Sequence, residues 1–295
     1  MTVAYPHKFR NQLSAYDILS QVVKARDVHL VTLNRYRFNE QRSCKDLTNL
    51  IEMLNGKPRE LVKELSHHVK EEANHAEWLT DLLYELGADI GTPPGVSYID
   101  NFERLLGYSD IQDQETVVIE ALAAINVTEK RGCEYFSAHI KVLKENPSPE
   151  NDKIRATIER IMPEEAGHVR WGNRKLAEIA KQSPELAQKV ERAKQKYMAI
   201  EQAAYESGMD VLAGAELRRV EHLLKIVETL PLWERPQYLL KSLPDALFDG
   251  ELQKTRLELL QKAWQKDPAQ FFQNLLPMFL SGELRVKQST ASVDR

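Results

Sequence analysis

Only two of the 295 residues are cysteine, too few for a disulfide framework or a cysteine-only metal site, and such sparse usage suits a reducing compartment. Glycine (12) and proline (13) are scarce and aromatic residues make up only 7%, which leaves little material for the turns and strands of a sandwich or barrel. No run of about 18 apolar residues is present to cross a membrane. The opening MTVAYPHKFRNQ has no apolar block of the kind a secretory signal needs. A cytoplasmic location with no membrane partner is therefore expected. Nor is there an excess of positive charge. Lys and Arg number 40 against 44 Asp and Glu, a net −4, which gives no general attraction to phosphate. Nucleic acid is a disfavoured partner, though a local basic patch for tRNA is compatible with an acidic total. Cys-x-x-Cys pairs and nucleotide-binding glycine motifs are also missing, so electrons for any redox chemistry are expected from an external donor.

What the chain has in quantity is Leu, Glu, Lys, Ala and Gln, with 42% hydrophobic residues, the composition of helices around a sizeable core. An all-α protein is expected. Apolar residues recur at helical spacing in long segments, and LNGKPR at 54–59, GADIGTPPGVS at 87–97 and KENPSPEND at 144–152 punctuate them. These signals predict four long helices in two hairpins within residues 14–182. The link at roughly 87–112 is much longer than either turn and has a predicted short helix around Tyr98 to Leu106. Two antiparallel pairs joined by one long crossover form the connectivity of ferritin-like four-helix bundles. Residues 183–295 form a helical extension expected to pack on the bundle or on a second subunit.

The chain nearly repeats itself. EEANHAEW, Glu71 to Trp78, returns as EEAGHVRW, Glu164 to Trp171, 93 residues later. Residues three apart share a helix face, so Glu72 points with His75 and Glu165 with His168, and each pair could hold one metal ion. Both pairs interrupt otherwise apolar stripes. One runs Leu61, Leu65, His68, Glu72, His75, Leu79, Leu82; the other runs Ile154, Ile158, Ile161, Glu165, His168, Gly172, Leu176. A buried carboxylate without a partner is costly, and a metal cation relieves several at once. The repeat extends to the other helix of each hairpin. EQRSC, Glu40 to Cys44, matches EKRGC, Glu129 to Cys133. Glu40 falls in the inward stripe Leu33, Tyr36, Glu40, Cys44, Leu47, Ile51 and Glu129 in Leu122, Ile125, Glu129, Cys133, Phe136, Ile140, at the heights of Glu72 and Glu165, whereas Glu120 lies half a revolution from Glu129.

One Glu from each of two helices plus Glu-x-x-His from each of the other two is the ligand set of ferritin-like di-iron and di-manganese carboxylate proteins, and Glu40, Glu72, His75, Glu129, Glu165 and His168 resemble it. More narrowly, EKRGCEYF resembles the Glu-x-Arg-Ser-Cys-Glu-x-Phe segment of the di-iron tRNA hydroxylases that act on isopentenylated adenosine. EEAGHVRWGN is similar to the Glu-x-x-His helix of related bacterial ferritin-like families. The likeness covers residues 35–180. It implies an oxygen-activating centre of two Fe ions, or Mn or mixed Mn/Fe, with O2 as co-substrate and Glu72 and Glu165 bridging. The implied function is a non-haem di-iron oxygenase or oxidase acting on a small organic substrate. A ferroxidase or peroxidase of the ferritin and rubrerythrin type, or a tRNA-modifying hydroxylase, would use the same residues.

Other residues have plainer readings. His68 lies one turn before Glu72 and its counterpart in the repeat is Ile161, so it is either an extra ligand, a hydrogen-bond donor to one, or a buried histidine satisfied by a neighbouring helix. Cys44 and Cys133 read as small core residues, Trp78 and Trp171 as packing at the ends of the site, and Arg42 and Arg131 as inter-helix or surface ion pairs. Glu64 with His67, a third Glu-x-x-His, falls off the stripe and reads as surface. Pro163 is expected to kink the fourth helix. In the extension, LPLWERPQYLL and AQFFQNLLPMFL are apolar enough to contact the bundle, cap a substrate entrance or form a homodimer interface.

Overall fold

The computed structural model describes residues 13–88, 90–93, 102, 113–204, 219–220, 222–248 and 250–272, and among them it is all-helical, an all-α bundle without strands. A short helix α1 (Ala15–Val22) precedes the four long ones and starts on a capping box, the Ser14 hydroxyl accepting from the Asp17 N–H while the Asp17 carboxylate accepts from the Ser14 N–H. The long helices are α2 (Arg26–Leu54), α3 (Arg59–Glu85), α4 (Gln114–Glu145) and α5 (Pro149–Ala180). α2 ends where Asn55 (φ 47°) and Gly56 (φ 79°) turn left-handed, the backbone that stops a helix and that Asn and Gly tolerate best. The N-terminus of α4 is capped by Asp113, which accepts from the Glu115 and Thr116 N–H groups; that of α5 is capped by Ser148, with Pro149 in the first turn. α5 runs unbroken through Pro163.

α2 packs along α3 and α4 along α5, while α3 meets α5 and α2 meets α4 only sparsely. The predicted inward stripes of α3 and α5 are buried residue for residue. On α2 and α4 the stripes are buried at Leu33, Tyr36, Glu40, Leu47, Leu122, Glu129 and Phe136, but Cys44, Ile51, Ile125, Cys133 and Ile140 are only half-buried. These two helices stand apart around a cavity that Ile125 lines. Asn126 pins α4 to α5: its side-chain amide donates to the Val169 carbonyl at 2.9 Å, and Gly172 leaves room for it.

The core is layered. One apolar cluster includes Leu33, Leu79, Leu83, Phe136, Ile158 and Ile161; another contains Leu47, Leu50, Leu54, Leu61 and Leu65. Each fully buried aliphatic side chain contributes about 1.5–3 kcal/mol, so the two layers clamp the polar band between them. The extension begins with α6 (Pro184–Ala204), whose Leu186, Val190, Tyr197 and Ile200 pack with Ile119, Leu122 and Leu176. Lys196 reaches Glu120 at 2.5 Å. Helical residues follow at 222–229, then α7 (Arg235–Leu247) and α8 (Gly250–Lys266). α8 packs against α1 through buried Leu259 and Ala263, and Lys266 pairs with Asp17. Leu232, Trp233 and Leu240 of the first apolar segment stand exposed. The predicted crossover helix, apart from buried Phe102, and most of AQFFQNLLPMFL lie outside the described residues.

Candidate metal centre

All six candidate ligands meet between the apolar layers, and His68 joins them; none of the seven is more than 8% exposed. They form two groups whose potential ligand atoms lie within 4.8 Å of one another. One is Glu40, Glu72, His75 and Glu165; the other is His68, Glu72, Glu129 and His168. Glu72 belongs to both. His75 Nδ1 lies 3.0 Å from Glu165 Oε1 and 3.6 Å from Glu40 Oε2. His168 Nδ1 lies 3.2 Å from Glu72 Oε1 and 3.5 Å from Glu129 Oε2. His68 Nε2 lies 3.2 Å from Glu72 Oε1 and 3.3 Å from Glu129 Oε1.

The doubled glutamate of the repeat acquires a role that the sequence reading missed. His75 turns Nδ1 inward and Nε2 outward, where Nε2 meets the Glu164 carboxylate at 2.8 Å; His168 Nε2 meets Glu71 in the same way at 2.9 Å. Each hairpin thus supplies the acceptor for the other hairpin's histidine. A proton on Nε2 leaves the Nδ1 lone pair facing the cluster, the arrangement a metal-binding imidazole needs. The available signal was the identical Glu-Glu-Ala in both copies, whose first Glu has no reason to recur on a solvated face. His67, exposed as expected, adds a contact to Glu71 at 3.2 Å, and Glu64 pairs with Lys175 at 2.7 Å.

The electrostatics describe a nest of mutually dependent charges. Burial pushes the Glu40 carboxyl up to about 8, helped by the Glu72 charge, and burial with Glu129, Glu40 and Glu72 nearby raises Glu165 well above the carboxylate range. Burial also works against ionisation of Glu72 and Glu129, but hydrogen bonds from His168 and His68 prevail and hold both low. His75 rises to about 11 and His168 to about 12, because hydrogen bonds donated to Glu165 and Glu40, and to Glu129 and Glu72, outweigh the desolvation. His75 Nδ1, His168 Nδ1 and Glu165 Oε1 are nevertheless buried without an aligned hydrogen bond. Four carboxylates would cancel the charge of two divalent cations, and oxygen with imidazole donors suits iron, manganese and zinc. The residues fit a metal pair.

On the α2–α4 side a cavity of about 250 Å³ opens onto the carboxylates. Its walls include Tyr36, Leu50, Met53, Phe102, Ala124 and Phe136; Glu40, Glu72, Glu129 and Glu165 form its floor, and none of the three histidines lines it. Among the described residues, none beyond 182 lines it. His68 and His168 instead border a groove on the opposite, α3–α5 side, with Glu71, Glu164 and Trp171. Trp171 stands edge-on to His68 at 5.8 Å and Trp78 lies 5.7 Å from His75, flanking the site as expected.

Of the two readings for Arg131, an inter-helix or a surface ion pair, its burial excludes the surface one. The side chain lies over the Tyr135 ring at 4.4 Å and lines the cavity, because α4 turns that position toward the gap beside α2. Arg42 lies 5.8 Å from the Phe38 ring. The two cysteine thiols are half-buried and pushed up to about 11 by burial and the neighbouring carboxylates, which makes them packing groups and poor nucleophiles. A second buried pair, His29 and His139, joins α2 to α4 through Nε2 atoms 2.9 Å apart; burial depresses both, His29 to about 4. Comparison with protein-family models, curated proteins and solved structures finds no match.

Proposed function

We propose that this chain is a non-haem di-iron oxidoreductase of the ferritin-like kind that uses O2 to oxidise a small, largely apolar organic molecule. The observation that supports the reading most is the pair of buried four-residue groups sharing Glu72, since a polar cluster of this density between two apolar layers lacks a structural purpose without cations to neutralise it. When bound, the metal pair supplies electrons to O2. The protein's own residues do the rest. Glu164 and Glu71 accept the outward N–H of His75 and His168 and fix both rings. Glu40, Glu72, Glu129 and Glu165 face the cavity, so the ligands best able to change their binding mode lie on the side where a substrate would enter. Leu47, Leu50, Ile125 and Phe136 line that approach and exclude water, protecting reactive species from side reactions.

The cavity favours an organic substrate over the ferroxidase reading, because an iron store gains nothing from an apolar chamber beside the metals. A manganese or mixed pair fits the same donors, and an external donor would supply electrons for repeated turnover. The test is anaerobic loading with ferrous iron followed by O2. Two ions per chain, O2 consumption and oxidation of a small apolar substrate that Ala124→Phe abolishes without loss of metal would support the reading. A protein that binds no metal, or binds it without consuming O2, would refute it.

A further inference from the structure

We propose that the two metal positions are unequal, that His68 makes them so as a seventh ligand, and that a limiting supply of a divalent transition metal fills the His68 position first. The inference rests on the di-metal reading and adds an order of occupancy to it. The group around Glu40 offers three carboxylates and one imidazole; the group around His68 offers Glu72 and Glu129 with two imidazoles, His68 and His168. Nitrogen donors discriminate among first-row divalent ions more strongly than carboxylates do and favour the later ones. With Glu72 common to both groups, the second imidazole sets them apart.

The placement of His68 has the features of a ligand. It is 3% exposed, and its ring lies 3.6 Å from that of His168, centroid to centroid. Its Nε2 lies within 3.3 Å of the same two carboxylates that His168 Nδ1 approaches. A histidine serving only to satisfy a carboxylate needs one acceptor, whereas this one sits between two carboxylates that already face another imidazole. The chain contains its own comparison. The position equivalent to His68 in the second half of the repeat is Ile161, fully buried in the apolar layer, so the fold requires no nitrogen at this height of the stripe.

Cobalt(II) provides the probe, since its d–d absorption reports coordination while calorimetry reports affinity, and neither needs turnover. In the full chain, titration with cobalt(II) alone should show two steps, the first at least tenfold tighter. Glu129→Ala should remove the tight step and Glu40→Ala the weak one. His68→Leu should weaken the first step about tenfold or more and shift its spectrum toward that of the second, leaving the second step unchanged. Circular dichroism checks folding, and because Glu40→Ala and Glu129→Ala assign the steps without touching His68, the order of filling stays testable if His68→Leu misfolds. Two equal steps in the wild type, or an unaltered first step in folded His68→Leu, would overturn the inference while leaving a di-metal centre in place. Failure of every form to bind cobalt would remove the di-metal reading and the inference with it.

Discussion

Replacing Glu164 with Leu tests the cross-hairpin carboxylates directly. Glu164 touches His75 at the outward Nε2, 2.8 Å away, and belongs to neither group of candidate ligands. Removing it leaves every ligand atom in place but frees His75 to rotate or to carry its proton on Nδ1, where the metal must bind. Loss of such a supporting partner reduces metal affinity about 10- to 100-fold, or about 1.4–2.7 kcal/mol. The Glu164 side chain is 34% exposed and that of Glu71 21%. Water can replace Glu164 more readily, so Glu164→Leu belongs near tenfold and Glu71→Leu toward the upper end. Glu164→Gln, whose amide oxygen still accepts a hydrogen bond, should recover most of the affinity. Competition with a chelator of known iron affinity, read by absorbance, measures all three. Unchanged affinity in both Leu variants, alongside a loss in Glu72→Ala, would show that the outer glutamates do not hold the histidines and that the doubled glutamate has some other cause.

Glu129→Ala should cost metal at one position, while Glu120→Ala should keep both ions, since Glu120 is engaged with Lys196 of α6; its effect should be confined to about 1 kcal/mol or less of stability for a partly exposed pair, and equal metal loss in the two variants would contradict the helical register. For His29 the folded value near 4 lies below the ordinary 6.5, so the unfolded chain takes up the proton first. Stability is complete above pH 6.5 and should fall by about 3 kcal/mol as pH drops toward 4; urea melts of wild type and a His29→Leu/His139→Leu double variant should diverge in slope across that window, and parallel curves would argue against the buried neutral pair. Gly172→Ala places a Cβ 2.8 Å from the Asn126 amide nitrogen, so the Asn126–Val169 bond must break or α4 must shift. A cost of about 1–3 kcal/mol is expected in thermal melts, and an unchanged melting temperature would refute it.

Sequence periodicity alone determined which faces of α3 and α5 point inward, because both helices pack their stripes against neighbours along their whole length and a 3.6-residue period has one solution under that constraint. It also placed Glu40, Glu72, His75, Glu129, Glu165 and His168 at one height, since short turns tie the register of each hairpin to residue number. The cavity between α2 and α4, and the buried Arg131 that lines it, depended on a gap that only the packing of four helices creates. No local pattern encodes the distance between two helices that are not sequence neighbours. The same limit hid Glu71 and Glu164, whose partners lie on the opposite hairpin, and the His29–His139 pair, whose members are 110 residues apart. His68 lies between the two cases: the broken repeat marked it in the sequence, but only the approach of Glu129 and His168 from the other hairpin gave its nitrogen a site to face.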